Sequence, residues 1–121
     1  RQDFARFLRG SVDDIEPATV EANLKELVEQ AQTVMAEEGF AATEITLRHE
    51  IDLHYTGQLW SVRVALDASP FDPAAVRAAF EDEYQRLYGH VQPDGLIMIA
   101  SLHVTASAAS GRPGSLLMAL A

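Results

Sequence analysis

The chain reads as one small α+β domain in the order α-β-β-α-β, a three-stranded, mainly antiparallel sheet with helices packed on one face. Three observations lead there. Apolar and polar residues alternate from Ile45 to Tyr55, with His49 the one polar member of the apolar row, and the alternation resumes after Gly57. Two stretches of three-and-four periodicity each open on an acidic residue followed by proline, at Glu16-Pro17 and Asp72-Pro73. A last apolar run, Leu96 to Ala106, returns to strand character.

Residues 1–15 read as an N-terminal extension or linker. Phe4, Phe7 and Leu8 share a helical face, but the segment is short, and a leftover strand fits it as well; its arginines read as a solvated terminus. The domain proper is expected over residues 16–108. Pro17 suits the first helical position, where an amide hydrogen would have no partner. Leu24, Leu27, Val28, Ala31, Val34 and Met35 then form one stripe, and Gly39 is a natural stop. The acidic outer face of this helix reads as solvated, with a docking surface as the alternative.

The hairpin follows. Its odd row is Ile45, Leu47, His49, Ile51, Leu53 and Tyr55; its even row carries Thr46, Arg48, Glu50, Asp52 and His54. Beyond the turn the apolar residues are Trp60, Val62, Val64 and Leu66. A two-residue Thr56-Gly57 turn accounts for the change of parity. It pairs Leu53 with Trp60, Ile51 with Val62, and Glu50 with Arg63, and makes Trp60 a core anchor. The second helix is expected to bury Val76, Phe80, Tyr84 and Leu87 and to end at Gly89. In the closing strand the even positions are apolar throughout, and Ile97 and Ile99 make the odd row apolar too at its start. A strand apolar on both sides is covered on both sides, so something outside this chain is expected over that end. The closing strand placed beside the first gives the sheet order second-first-third. Residues 109–121 read as a flexible, apolar C-terminal tail: glycine and proline punctuate it before Leu116 to Ala121.

A net charge of −9 disfavours nucleic acid and anionic membrane surfaces as partners. The chain has no cysteine, which removes disulfides and thiolate chemistry and points to a cytoplasmic setting. No apolar run approaches the roughly 20 residues of a membrane helix. The chain begins with Arg, not Met, and reads as a piece of something larger.

Chemistry-bearing residues are sparse. Glu50, Asp52 and His54 share a strand face and are weak candidates for a carboxylate–imidazole acid–base pair or a divalent-ion site. Arg48 and Arg63 lie on the same face, and an arginine is the simpler partner for Glu50, so no metal site is assigned. His49, on the apolar row, reads as a satisfied edge or core histidine, and His90 and His103 as surface residues. No glycine-rich loop opens a helix to cradle phosphate, and no serine sits in a recognisable nucleophile context. No catalytic residue is assigned.

Tyr55-Thr56-Gly57-Gln58 resembles the RY-x-GQ hairpin near the C-terminal end of hydantoinase A/oxoprolinase subunits. Phe80-x3-Tyr84-x3-Tyr88-Gly89, followed by Pro93 and the run LHVTASA, is similar to that family's next helix and closing strand. The likeness spans roughly Ile15 to Gly111, with two departures: His54 stands where the family usually has arginine, and Tyr84 where it often has histidine. It implies structural motif positions at Tyr55, Gly57, Gln58, Phe80, Tyr88 and Gly89. It also implies a parent that uses ATP and a divalent cation to open a cyclic amide such as a hydantoin or 5-oxoproline, or to carboxylate a ketone, with the nucleotide held in a separate upstream portion. The fragment would then be an accessory, structural end domain, without cofactor, meeting the rest of its subunit and a B-type partner subunit. A stand-alone protein-interaction module and a small hydrolase using His54 with Glu50 or Asp52 are the alternatives.

Overall fold

The computed structural model describes residues 1–66 and 70–108. Its elements are β1 (Gln2–Ser11), α1 (Pro17–Glu37), a 3-10 turn (Ala42–Glu44), β2 (Ile45–Tyr55), β3 (Val62–Ala65), α2 (Pro73–Tyr88) and β4 (Ile97–Ala108). The expected α-β-β-α-β order is present, with one strand added in front. Residues expected as an extension instead make β1, so the sheet has four antiparallel strands in the order β1-β4-β2-β3. The expected neighbours are kept, and β1 lies on the far side of β4. The pattern of β1 is hard to read because Arg6 shares the inward row with Phe4 and Leu8. Its guanidinium reaches over α1 to Asn23 at 3.2 Å and to Glu26, keeping the charge at the rim of the core.

Both helices start and stop where proline and glycine place them. Pro17 and Pro73 stand in the first turns, and the Asp72 carboxylate accepts the Ala74 amide at 3.0 Å. Gly89 closes α2 in the left-handed region at φ 79°. The helices bury Val20, Leu24, Leu27, Ala31 and Met35 of α1 and Val76, Phe80 and Tyr84 of α2 against Ile51, Leu53 and Tyr55 of β2, with Leu102 and Val104 of β4. Leu87, expected in that stripe, is exposed. Glu21, on the helix face read as solvated, accepts the Phe71 amide at 2.8 Å and ties the start of α2 to α1.

The hairpin keeps its predicted faces and changes its register. Leu53 pairs with Val62, Ile51 with Val64, and Asp52 with Arg63, two positions along from the expected pairs. The connection is therefore longer than a two-residue turn. Trp60 lies in it rather than across from Leu53 and is 57% exposed, so it is not a core anchor. A slip of two preserves which side each residue faces, and the apolar pattern cannot distinguish the two registers.

β4 carries a bulge just past its doubly apolar start. Asp52 pairs with Ser101 and Leu53 with Ile99, leaving Ala100 as the extra residue. Ile97 and Ile99 face the core before it, and Leu102, Val104 and Ala106 after it. The inward row thus passes from odd to even positions at the bulge, while Leu96, exposed, and Met98, half-buried, stay off the core side. The tail expected at 109–121 and the loop residues 67–69 lie outside the described residues.

Candidate functional site

Two groups of side chains stand out, one at an end of the sheet and one on its helix-free face. The first is built where β2 ends, α2 ends and β4 begins. Tyr55 is fully buried, its ring edge-on to Phe80 (5.0 Å between centroids) and to Tyr84 (4.9 Å). Its hydroxyl accepts the Gln92 amide at 3.0 Å. Gln58 donates through Nε2 to the Tyr84 hydroxyl at 2.6 Å, and the Thr56 amide donates to the Leu96 carbonyl at 3.0 Å. Gly57 takes φ 91° in the turn. Tyr88 and His90 then stack outward against Tyr84, at 4.6 and 5.5 Å. Tyr55, Gly57, Gln58, Phe80, Tyr88 and Gly89 therefore converge on one end of the domain from three separate elements.

That convergence is a packing device. A tyrosine at a strand end must find a partner for its hydroxyl when buried, and here the 89–96 connection supplies a backbone amide. Gly95 makes the close approach possible, since a Cβ there would stand 2.6 Å from the Tyr55 ring. Tyr84, Gln92 and Gly95 are members that the sequence reading did not assign. The helical spacing Phe80–Tyr84–Tyr88 already marks Tyr84, whereas the roles of Gln92 and Gly95 depend on where the loop folds back.

The second group lies on the open face. Of Glu50, Asp52 and His54, only Asp52 is drawn into a cluster. It accepts two hydrogen bonds from Arg63, 2.7 Å from Nε and 3.0 Å from Nη2. Its Oδ2 also lies 3.0 Å from His103 Nε2 and 3.3 Å from Ser101 Oγ. Burial pushes the Asp52 carboxyl up, but hydrogen bonds from Arg63 and the neighbouring His103 and Arg63 charges outweigh it and hold it below its ordinary 3.8. His54 turns its Nδ1 to the Tyr55 carbonyl at 2.9 Å, and Glu50 lies across from His103 in the ladder. The Arg63 partner is Asp52, not Glu50, as the shifted register requires. Ser101 and His103 were missed as site residues: both stand on polar rows, but only the β2–β4 register shows that they meet Asp52.

A serine, a histidine and an aspartate in contact invite comparison with a nucleophilic triad. Here Ser101 Oγ (2.9 Å) and Asp52 Oδ2 (3.0 Å) both address the same ring nitrogen, Nε2. A relay needs the acid on one nitrogen and the nucleophile on the other. The arrangement ties β2 to β4 and does not have the geometry of that relay. Among the described residues no three His, Cys, Asp or Glu side chains gather as a metal set, and no helix is long and apolar enough to cross a membrane.

Residues 11–114 match the family model described as the hydantoinase/oxoprolinase C-terminal domain. The chain belongs to that family. As such a domain it also has the expected structural neighbours. It is similar to an ATP-dependent caprolactamase from Pseudomonas jessenii, with a TM-score of 0.80 and 22% identity over 88% of this chain and 16% of that one. It is similar to an acetone carboxylase in its nucleotide-free structure, with a TM-score of 0.78 and 18% identity over 88% of this chain and 17% of that one. At these identities the likeness shows a shared fold. The domain spans about a sixth of either chain. No curated protein matches it by sequence.

Proposed function

We propose that this domain is an accessory end piece of a larger subunit that couples ATP hydrolysis to opening a cyclic amide, of the hydantoin or 5-oxoproline kind, or to carboxylating a ketone. Its own task is structural: it presents an apolar end to the remainder of that subunit. One observation carries this reading. Of the six large hydrophobic side chains exposed among the described residues, five (Leu59, Trp60, Leu87, Tyr88 and Leu96) belong to the end built by the family motif; Phe7 is the sixth. Scattered apolar residues need no explanation, but a concentration of them marks an interaction surface. A B-type subunit is the further partner this reading allows.

The two helix starts are poor seats for a nucleotide's phosphates. Anion sites at helix starts use free amide hydrogens and the positive end of the helix dipole. Here Pro17 and Pro73 remove an amide each, acidic Glu16 and Asp72 precede them, and the Asp72 carboxylate occupies the Ala74 amide. ATP and its divalent cation therefore belong to the rest of the parent in this proposal, and no chemical step is assigned to the domain. The hydrolase alternative gains no support from the geometry, because Asp52 is engaged by Arg63 and His54 by a backbone carbonyl.

The test is co-expression of the domain with the preceding portion of its parent subunit. Co-purification is expected, and the double variant Leu59→Ser/Trp60→Ser should lose it while the free domain keeps its melting temperature. Undiminished association of that variant would overturn the contact surface. Saturable micromolar binding of magnesium-ATP to the free domain in calorimetry would overturn the accessory role.

A further inference from the structure

We infer that His103 is a proton-controlled node that sets how firmly the edge strand β3 is tied to the centre of the sheet. The inference rests on the open-face cluster and does not depend on the parent's reaction. His103 Nε2 lies 3.0 Å from Asp52 Oδ2, 3.0 Å from Arg63 Nη2 and 2.9 Å from Ser101 Oγ. A ring nitrogen has one in-plane site: it donates when protonated and accepts when not. A carboxylate only accepts and a guanidinium only donates. The contacts to Asp52 and to Arg63 therefore demand opposite states of the same atom. Ser101, whose hydroxyl can do either, follows whichever state holds.

The two states tie the sheet differently. With Nε2 unprotonated, Arg63 of β3 donates to Asp52 of β2 and to His103 of β4, so one side chain spans three strands. In the imidazolium, Nε2–H turns to Asp52, and the Arg63 Nη2 hydrogens face a cation instead of a lone pair. Arg63 then keeps Asp52 alone and shares it with a second positive charge. β3 is four residues long and sits at the sheet edge; among the described residues it ladders to β2 alone, and Val62 and Val64 anchor its inner side in the core, so the Arg63 contacts are its tie on the open face.

The surroundings admit the cation. On β2, Glu50 lies opposite His103 and Asp52 lies beside it, with Arg48 one pair further along, opposite Thr105. On β1 the residue opposite is uncharged Ala5, and Asp3 is bonded to Thr105 at 2.9 Å. On β3 the facing charge is Arg63. The His103 side chain is 19% exposed, so protons reach it from solvent. The consequence passes to the Thr56–Ser61 connection, because Leu59 and Trp60 lie on it directly before β3. Protonation at His103 loosens the strand that carries two of the exposed apolar side chains.

The experiment is amide hydrogen exchange of Val62 to Ala65 followed by NMR from pH about 7.5 to about 5.5, corrected for intrinsic exchange rates, with the histidine ring nitrogens titrated in parallel. Protection in β3 is expected to fall about five- to tenfold as His103 becomes protonated, roughly the factor one such hydrogen bond carries. β1 should show no step that follows the His103 ring signals. His103→Gln and Arg63→Gln should each abolish the step, the second while leaving His103 on Asp52. A β3 step that persists in either variant, or that follows the ring signals of His49 instead, would overturn the inference, as would uniform protection across the range.

Discussion

Gly95→Ala is the most informative single substitution in this domain, because it introduces one methyl group against a ring that has nowhere to go. The new Cβ would stand 2.6 and 2.7 Å from two carbons of the Tyr55 ring and 2.9 Å from the Gln92 Cβ. Ordinary contact begins at 3.4 Å, so the ring or the loop must yield about 0.8 Å, the difference between 3.4 and 2.6 Å. The ring is held edge-on by Phe80 and Tyr84, and its hydroxyl is tied to the Gln92 amide. Overpacking of this kind costs about 1–3 kcal/mol. If the loop moves instead, the buried hydrogen bond goes with it, at about 0.5–1.5 kcal/mol. Together these predict a fall in melting temperature on the order of 10 °C for a domain of this size. Thermal melts by circular dichroism measure it, and a double-mutant cycle with Tyr55→Val isolates the cause. With the ring gone, Gly95→Ala should cost less than about 1 kcal/mol, the shortfall being the coupling between the two sites. Coincident melts for Gly95→Ala and wild type, or the same cost in both backgrounds, would refute the packing argument.

Phe80→Ala should destabilise by about 3–5 kcal/mol in urea titrations, since the ring is fully buried and supports Tyr55. Gly57→Val should cost about 1–3 kcal/mol from backbone strain alone, because the turn holds φ at 91° while the space around a Cβ is open; unchanged melting would show that the turn relaxes. Burial holds the His49 imidazole below its ordinary 6.5. The unfolded chain therefore binds more protons as pH falls below about 6.5, and stability should decline there and level off beneath the folded-state pKa. Urea midpoints of wild type and His49→Leu at pH 7.5, 6.5 and 5.5 check this, with the variant expected to show the shallower slope.

Most of the fold was legible because proline, glycine and alternation act locally. Pro17, Pro73 and Gly89 set helix ends by backbone geometry that neighbours do not alter, and the parity of β2 follows from which residues can be buried. What was not legible depends on contacts distant in sequence. The hairpin register is decided between alternatives that present identical faces, so Trp60 was placed inside when it lies outside. The bulge at Ala100, which moves the inward row from odd to even positions, leaves no mark in the apolar pattern. Arg6 disguised β1 because its charge is satisfied by α1 rather than by water alone. For the same reason Asp52 was visible as a candidate but its partners Ser101 and His103 were not: they are 49 and 51 residues away.

The position of β4 has a consequence for how the chain is made. β4 is the last strand in sequence and lies inside the sheet, between β1 and β2, with Gln2 laddered to Ala106 and Ile45 to Ala108. β1 and β2 are each antiparallel to β4 and have no direct ladder between them, so a nascent chain can assemble the β2–β3 hairpin and both helices but cannot close the sheet. Until the twelve residues of β4 leave the ribosome, β1 and β2 lack the strand that lies between them, and the core lacks Ile97, Ile99, Leu102, Val104 and Ala106. Closure of the sheet thus waits until β4 has been made. A chain truncated within β4 loses the seam that joins its two halves, and such products should be substrates for chaperones and proteases rather than partly working domains.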